Sequence, residues 1–195
     1  ELELDAVSEV PRYYVCNAYG VCGIYNAPGT AVKEAYDTSG IVTNDRGVTV
    51  WLKGNRVSRN QIMAIKEESV TEQKNSLAVC LDNILRHAGI TRNTEYDLAQ
   101  GKTATTILSE NMTGVQVLDL SGCTLDAVLY YVNQDIPVLA ILDDGEAVLV
   151  TGFNEFNVVI MEPSTGKLYK KGMNDATEWF AENGNHFVTY MRVEN

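Results

Sequence analysis

At 195 residues the chain is long enough for one large or two small domains, each with a core of its own. A hydrophobic share of 45% beside 21% charged residues excludes a disordered chain, and a net charge of −11 excludes a surface built for nucleic acid or anionic membrane. No apolar run is long enough to span a bilayer and no signal-peptide pattern is present; with Glu1 in place of Met, a processed form or an expressed fragment is expected.

Residues 12–17 and 21–25 read as two β-rich runs around the turn Ala18-Tyr19-Gly20. A short helix follows, with Pro28 in its first turn and Gly40 just past its end. Residues 40–44 and 48–53 read as a second hairpin around Asp45-Arg46-Gly47, which gives a ββαββ module closed by Gly54-Asn55-Arg56. A further strand is expected at 61–65, and 66–74 has the charge and polarity of a linker. We place the module at 1–66 and a second domain at 67–195.

The second domain opens on an amphipathic helix whose stripe is Leu77, Cys80, Leu81, Ile84, Leu85 and Ala88. Asn75 or Ser76 can cap it, and Gly89 ends it. Smaller helices are expected at 95–100 and 105–111, a strand at 115–120, and a helix capped by Thr124 with Leu125, Val128, Leu129 and Val132 inward. From Pro137 the pattern becomes a meander of strands at 137–142, 147–152, 158–161 and 168–171, followed by a helix at 174–181 and a last strand at 186–193. Residues 147–150 do not alternate, so that strand should be covered on both faces. Helices first and antiparallel strands later is an α+β order.

Cys16 and Cys22 flank a turn, so they are either a disulfide across a hairpin or two reduced thiols on neighbouring strands. Cys80 and Cys123 sit in apolar patterns, where a free Cys acts as a small hydrophobe. No Cys or His spacing suits zinc, and Asp143-Asp144-Gly145-Glu146 reads as a tight turn and not a calcium loop. No cofactor or metal is expected.

From about Gln73 to Val193 the order resembles the papain-like fold of the bacteriocin-processing (double-glycine) cysteine peptidases, a helix packed on an antiparallel sheet. In that family a Gln precedes a Cys at the start of a long helix. A Gly-His pair opens a strand that ends in Thr-Gly-Tyr, and the next strand ends in Asp-Pro. Here Gly145-Glu146 opens the run Ala147-Val148-Leu149-Val150-Thr151-Gly152-Phe153, and residues 158–161 lead into Glu162-Pro163. Gly122-Cys123-Thr124-Leu125 through Ile136-Pro137-Val138-Leu139 resembles the segment that feeds the sheet.

The departures fall on the chemistry. The resemblance puts Ser76 at the nucleophile position, Glu146 at that of the catalytic His and Glu162 at that of the orienting Asp, with Gln73 nearer to Ser76 than the family's spacing. A cysteine peptidase needs a thiolate made by a helix N-terminus and an imidazolium partner. A Ser hydroxyl beside a carboxylate has neither, and an ionised Glu cannot protonate the leaving amine. Ser76, Glu146 and Glu162 are therefore a poor acyl-transfer set. Two rescue residues are available: Cys80, about 6 Å along the helix from Ser76, and His186 on the last strand. His87 lies about 10 Å from Cys80 along the same helix edge, out of contact.

The N-terminal run resembles small modules attached to Gram-positive cell-envelope proteins, and its ββαββ order favours the sporulation-related repeats over bacterial SH3-like domains. Together these resemblances imply a non-catalytic papain-like domain of a secreted or envelope-associated protein. Its remnant cleft, with Gln73, Ser76, Glu146 and Glu162, would take a peptide or protein ligand through main-chain hydrogen bonds. The alternatives are an active cysteine peptidase using Cys80 and His186, and a structural spacer without ligand.

Overall fold

The computed structural model describes residues 10–53 and 75–193. The expected Gly54-Asn55-Arg56 closure, the strand at 61–65, the linker at 66–74 and Gln73 lie outside the described residues.

Four antiparallel strands form the first sheet: β1 (Tyr13–Cys16), β2 (Cys22–Tyr25), β3 (Ile41–Thr43) and β4 (Thr49–Leu52), in the order β2-β1-β3-β4. Alternation on β1 sends Tyr13 and Val15 inward and leaves Cys16 exposed. Cys16 stands directly opposite Cys22, and the two form a disulfide across the hairpin. Helix α1 (Pro28–Thr38) covers the inner face with Ala31, Val32 and Ala35. Pro28 fits its first turn because the N–H it lacks would have no partner there. The helix ends on Ser39 in the left-handed region, at φ 54°, and not on Gly40. Gly40 is small for another reason: a Cβ there would stand 2.9 Å from the Cys16 carbonyl oxygen.

The larger sheet has six antiparallel strands: β5 (Val115–Asp119), β6 (Val138–Ile141), β7 (Ala147–Phe153), β8 (Asn157–Glu162), β9 (Lys167–Gly172) and β10 (His186–Arg192). Its order is β5-β10-β6-β7-β8-β9, so the expected meander holds from β6 to β9, while the last strand inserts between β5 and β6. Five helices accompany it among the described residues: α2 (Ser76–His87), α3 (Glu95–Ala99), α4 (Ala104–Asn111), α5 (Leu125–Val132) and α6 (Met173–Glu182).

Asn75 caps α2 by accepting the Leu77 N–H at 2.9 Å. Cys80, Leu81, Ile84 and Leu85 are buried as the stripe requires, but Leu77 is only partly covered and Ala88 is exposed. Ala78, Val79 and Asp82 are buried as well, because a second side of α2 meets the segment before α3. There Asp82 Oδ1 accepts the Thr94 N–H at 2.8 Å and the Thr94 hydroxyl donates to the Ala78 carbonyl at 3.2 Å. Both α2 and α5 pack on β6 and β7. All seven residues of β7 are buried, so the two helices cover opposite faces.

The two sheets share one hydrophobic core. Trp51 donates its indole N–H to the Ala127 carbonyl at 3.0 Å, and the Tyr131 hydroxyl donates to the Val50 carbonyl at 2.8 Å. Gln116 bridges further, donating to the Tyr13 hydroxyl at 2.8 Å and accepting from Asn44 at 3.2 Å. The whole is a mixed α+β fold.

Candidate functional site

The N-terminus of α2 and the start of β7 meet. The Ala147 backbone N–H donates to Ser76 Oγ at 3.0 Å, and Glu146 is the residue just before it. Ser76 is half-buried and Glu146 exposed. The β6–β7 turn sets this position: Gly145 has φ 84°, the Leu142 N–H donates to the Glu146 carbonyl at 2.7 Å, and the Glu146 N–H donates to Asp144 Oδ1 at 2.9 Å. The positions expected for nucleophile and base are thus neighbours in space, 71 residues apart for Ser76 and Ala147. They hold a hydroxyl already engaged as an acceptor and an exposed carboxylate.

Glu162 ends β8, one residue past the Leu149–Met161 pair, so it stands across from Val148. On that face of the hairpin Glu146 is the next residue outward, since side chains alternate. Glu162 Oε1 accepts from the Ser164 N–H and hydroxyl at 3.3 and 3.0 Å. Ser76, Glu146 and Glu162 therefore gather at one end of the sheet. The set can accept hydrogen bonds and attract cations; it contains no imidazole.

Cys80 is one turn deeper on α2 and fully buried. Burial, helped by the charge of Glu162, pushes its thiol well above its ordinary pKa, so it stays protonated. His186 starts β10 and pairs in register with Ile141, which pairs with Ala147. It therefore shares the sheet end with Ala147, two strands away at roughly 10 Å. Its Nε2 lies 3.9 Å from Asp119 Oδ1, an ion pair only when the ring is protonated. No hydrogen bond or ion pair joins Cys80 to His186 among the described residues. His87 Nε2 contacts the Asp135 carbonyl at 3.1 Å. Cys123, in the loop before α5, is buried with its thiol 3.3 Å from the Gly29 carbonyl and its pKa pushed up to about 12, chiefly by burial. Among the described residues no group of three or more His, Cys, Asp or Glu could hold a metal ion. No helix there is long and apolar enough to cross a membrane.

Tyr190 and Arg192, which carry no sequence motif, sit at the opposite end of the sheet. Each looks like an ordinary strand residue, and only tertiary packing brings them beside α2 and the α4–β5 connection.

No protein-family model matches the sequence, and no curated protein sequence matches it. A crystal structure of a Bacillus anthracis protein described as a C39-like peptidase is similar in fold, with a TM-score of 0.57 at 12% identity over 70% of this chain and 100% of that one. The chain thus carries a peptidase-related α+β fold over most of its length, in agreement with the family its motifs resemble.

Proposed function

We propose that residues 75–193 form a papain-like domain that has exchanged peptidase chemistry for binding an extended peptide. The first-sheet module 10–53 serves as its companion in a secreted or envelope-associated bacterial protein. The observation that carries this reading is the 3.0 Å hydrogen bond from the Ala147 N–H to Ser76 Oγ, with Glu146 beside it. It aligns a helix N-terminus and a strand start as a cysteine peptidase requires, and fills both positions with groups that cannot make a thiolate–imidazolium pair. The buried, protonated Cys80 supports the same view, since a nucleophilic thiol needs its pKa lowered. Main-chain pairing with an extended ligand needs neither group, and the carboxylates favour a ligand bearing lysine or a free amine. The Cys16–Cys22 disulfide supports an oxidising, extracytoplasmic setting.

The test uses a lysine-containing decapeptide with a central Gly-Gly pair, incubated with the whole chain. Binding without cleavage is expected, and Glu146→Lys, at an exposed position, should weaken it at least tenfold. Cleavage that Cys80→Ala abolishes would establish the active-peptidase alternative. Absence of binding, or binding that Glu146→Lys leaves unchanged, would remove the cleft from consideration.

A further inference from the structure

The end of the large sheet away from Ser76 and Glu146 carries a second recess. Strand β10 runs from His186, at the cleft end, to Arg192, seven residues in all, which spans roughly 20 Å. Around Arg192 lies an open cavity of about 550 Å³, between the C-terminal end of α2, the α4–β5 connection and the sheet. That volume falls in the range of about 300–1,000 Å³ usual for small-molecule sites.

Its lining is unusual for this chain. The protein carries a net charge of −11, yet among the described residues the ionisable side chains here are His87, Tyr190 and Arg192, with no carboxylate. Ile90, Met112 and Val115 supply an apolar wall. Arg192 and Tyr190 are two apart on β10, so both side chains project from the same face of the sheet. Arg192 spends one donor on the Gln134 carbonyl, Nη1 to O at 3.3 Å, which anchors the guanidinium; its other N–H groups have no partner among the described residues and can serve a ligand. His87 is anchored in parallel on the Asp135 carbonyl, so its Nε2 carries the proton there.

Tyr190 adds a second polar group to the recess. Its side chain is 2% exposed and lines the cavity beside Arg192. A phenol in such a place offers a hydroxyl at the end of an apolar ring. Burial raises its pKa and the nearby Arg192 charge lowers it, so the neutral hydroxyl, a donor, sits within reach of the guanidinium's field.

We propose that this recess is a binding site for a carboxylate carried on a compact apolar group. Arg192 receives the carboxylate on its planar fork, Tyr190 donates a further hydrogen bond, and the apolar body rests on Ile90, Met112 and Val115. A single fixed guanidinium matches the geometry of a carboxylate and gives the one positive charge that it needs, whereas a dianionic phosphate on so acidic a protein would call for more. Such a group comes either as a free small acid or as the C-terminal residue of a peptide.

The experiment titrates the full chain with 3-phenylpropionate, following backbone amide shifts and heats of binding. N-acetyl-Gly-Phe, its C-terminal amide and 3-phenylpropan-1-ol serve as companions. The expected result is binding of 3-phenylpropionate, of N-acetyl-Gly-Phe, or of both, with shifts centred on Val115, Tyr190 and Arg192. The amide and the alcohol should bind at least tenfold more weakly. Preference between the two acids tells a free acid from a peptide terminus. Arg192→Gln and Tyr190→Phe should each weaken binding at least tenfold; the second keeps the buried ring, so it reports on the hydroxyl even if the first unfolds the loop it anchors. No binding of either acid at millimolar concentration, equal binding of the amide, or unchanged affinity in Tyr190→Phe would overturn the proposal. Glu146→Lys at the far cleft should leave this binding as it is, which separates the two sites.

Discussion

Asp97 shows how a single side chain is held ionised in a covered position. It is 3% exposed, and Arg92 grips it with two bonds, Nε to Oδ2 at 3.0 Å and Nη2 to Oδ1 at 3.1 Å. The Arg92 hydrogen bonds hold its pKa below the usual 3.8 against the opposing effect of burial, with the charges of Arg92 and Lys102 adding to the lowering. A carboxyl lowered in the folded state contributes stability above its unfolded pKa and loses it as pH falls through the folded value. Asp97→Asn should therefore be less stable than the parent at pH 7, with the difference closing below about pH 4; urea midpoints across that range measure it. Sequence reading at this scale found the residues whose identity is the signal. Glu146 stands out because a recognisable strand leads one to expect His there. The bond from Ala147 to Ser76 and the recess beside Tyr190 and Arg192 depend on packing across the fold, and no local pattern announces them.

Most elements were legible because turn chemistry and periodicity act locally. Pro28, Asn75, Thr124 and the glycines at positive φ mark ends that the chain respects. Pairing is not local: that β10 lies between β5 and β6 follows from competition among edges, which periodicity cannot encode. The same limit hid the reason for Gly29. Within α1 a glycine only weakens the helix, and Ala would be favoured by about 1 kcal/mol on propensity alone. Yet a Cβ at Gly29 would stand 2.7 Å from the Ser121 carbonyl oxygen and 3.3 Å from that of Asp119. Backbone cannot step aside as a side chain would, so overpacking, at about 1–3 kcal/mol, outweighs propensity. Gly29→Ala is expected to destabilise the protein by urea denaturation, whereas Gly184→Ala, which has open space, should suffer only from its φ of 89°.

On the scale of the whole molecule, length allowed one large or two small domains and the strand pattern led to a module at 1–66 beside a domain at 67–195; the described strands form two sheets. What joins them is energetically large. Tyr13, Val15, Val42, Val50 and Trp51 of the first sheet are buried in the same cluster as Leu118, Val128 and Tyr131. The bonds Trp51–Ala127 and Tyr131–Val50 are themselves buried, and separating the sheets would exchange them for bonds to water at a net cost of about 0.5–1.5 kcal/mol each. Apolar burial adds to that, at about 25 cal/mol for each Å² re-exposed. The first sheet is therefore expected to unfold together with the large one. The chain carries a reporter for this, since it has two tryptophans: Trp51 on the first sheet and Trp179 on α6. Trp179 is only half-buried, so Trp179→Phe leaves the core intact and makes fluorescence a probe of the first sheet. In that variant the urea transition seen by Trp51 fluorescence should coincide with the one seen by far-ultraviolet circular dichroism, with one midpoint and one slope. A Trp51 transition at lower urea would mean that the first sheet detaches before the large one melts, and that the shared core is a docking interface between separately folding units.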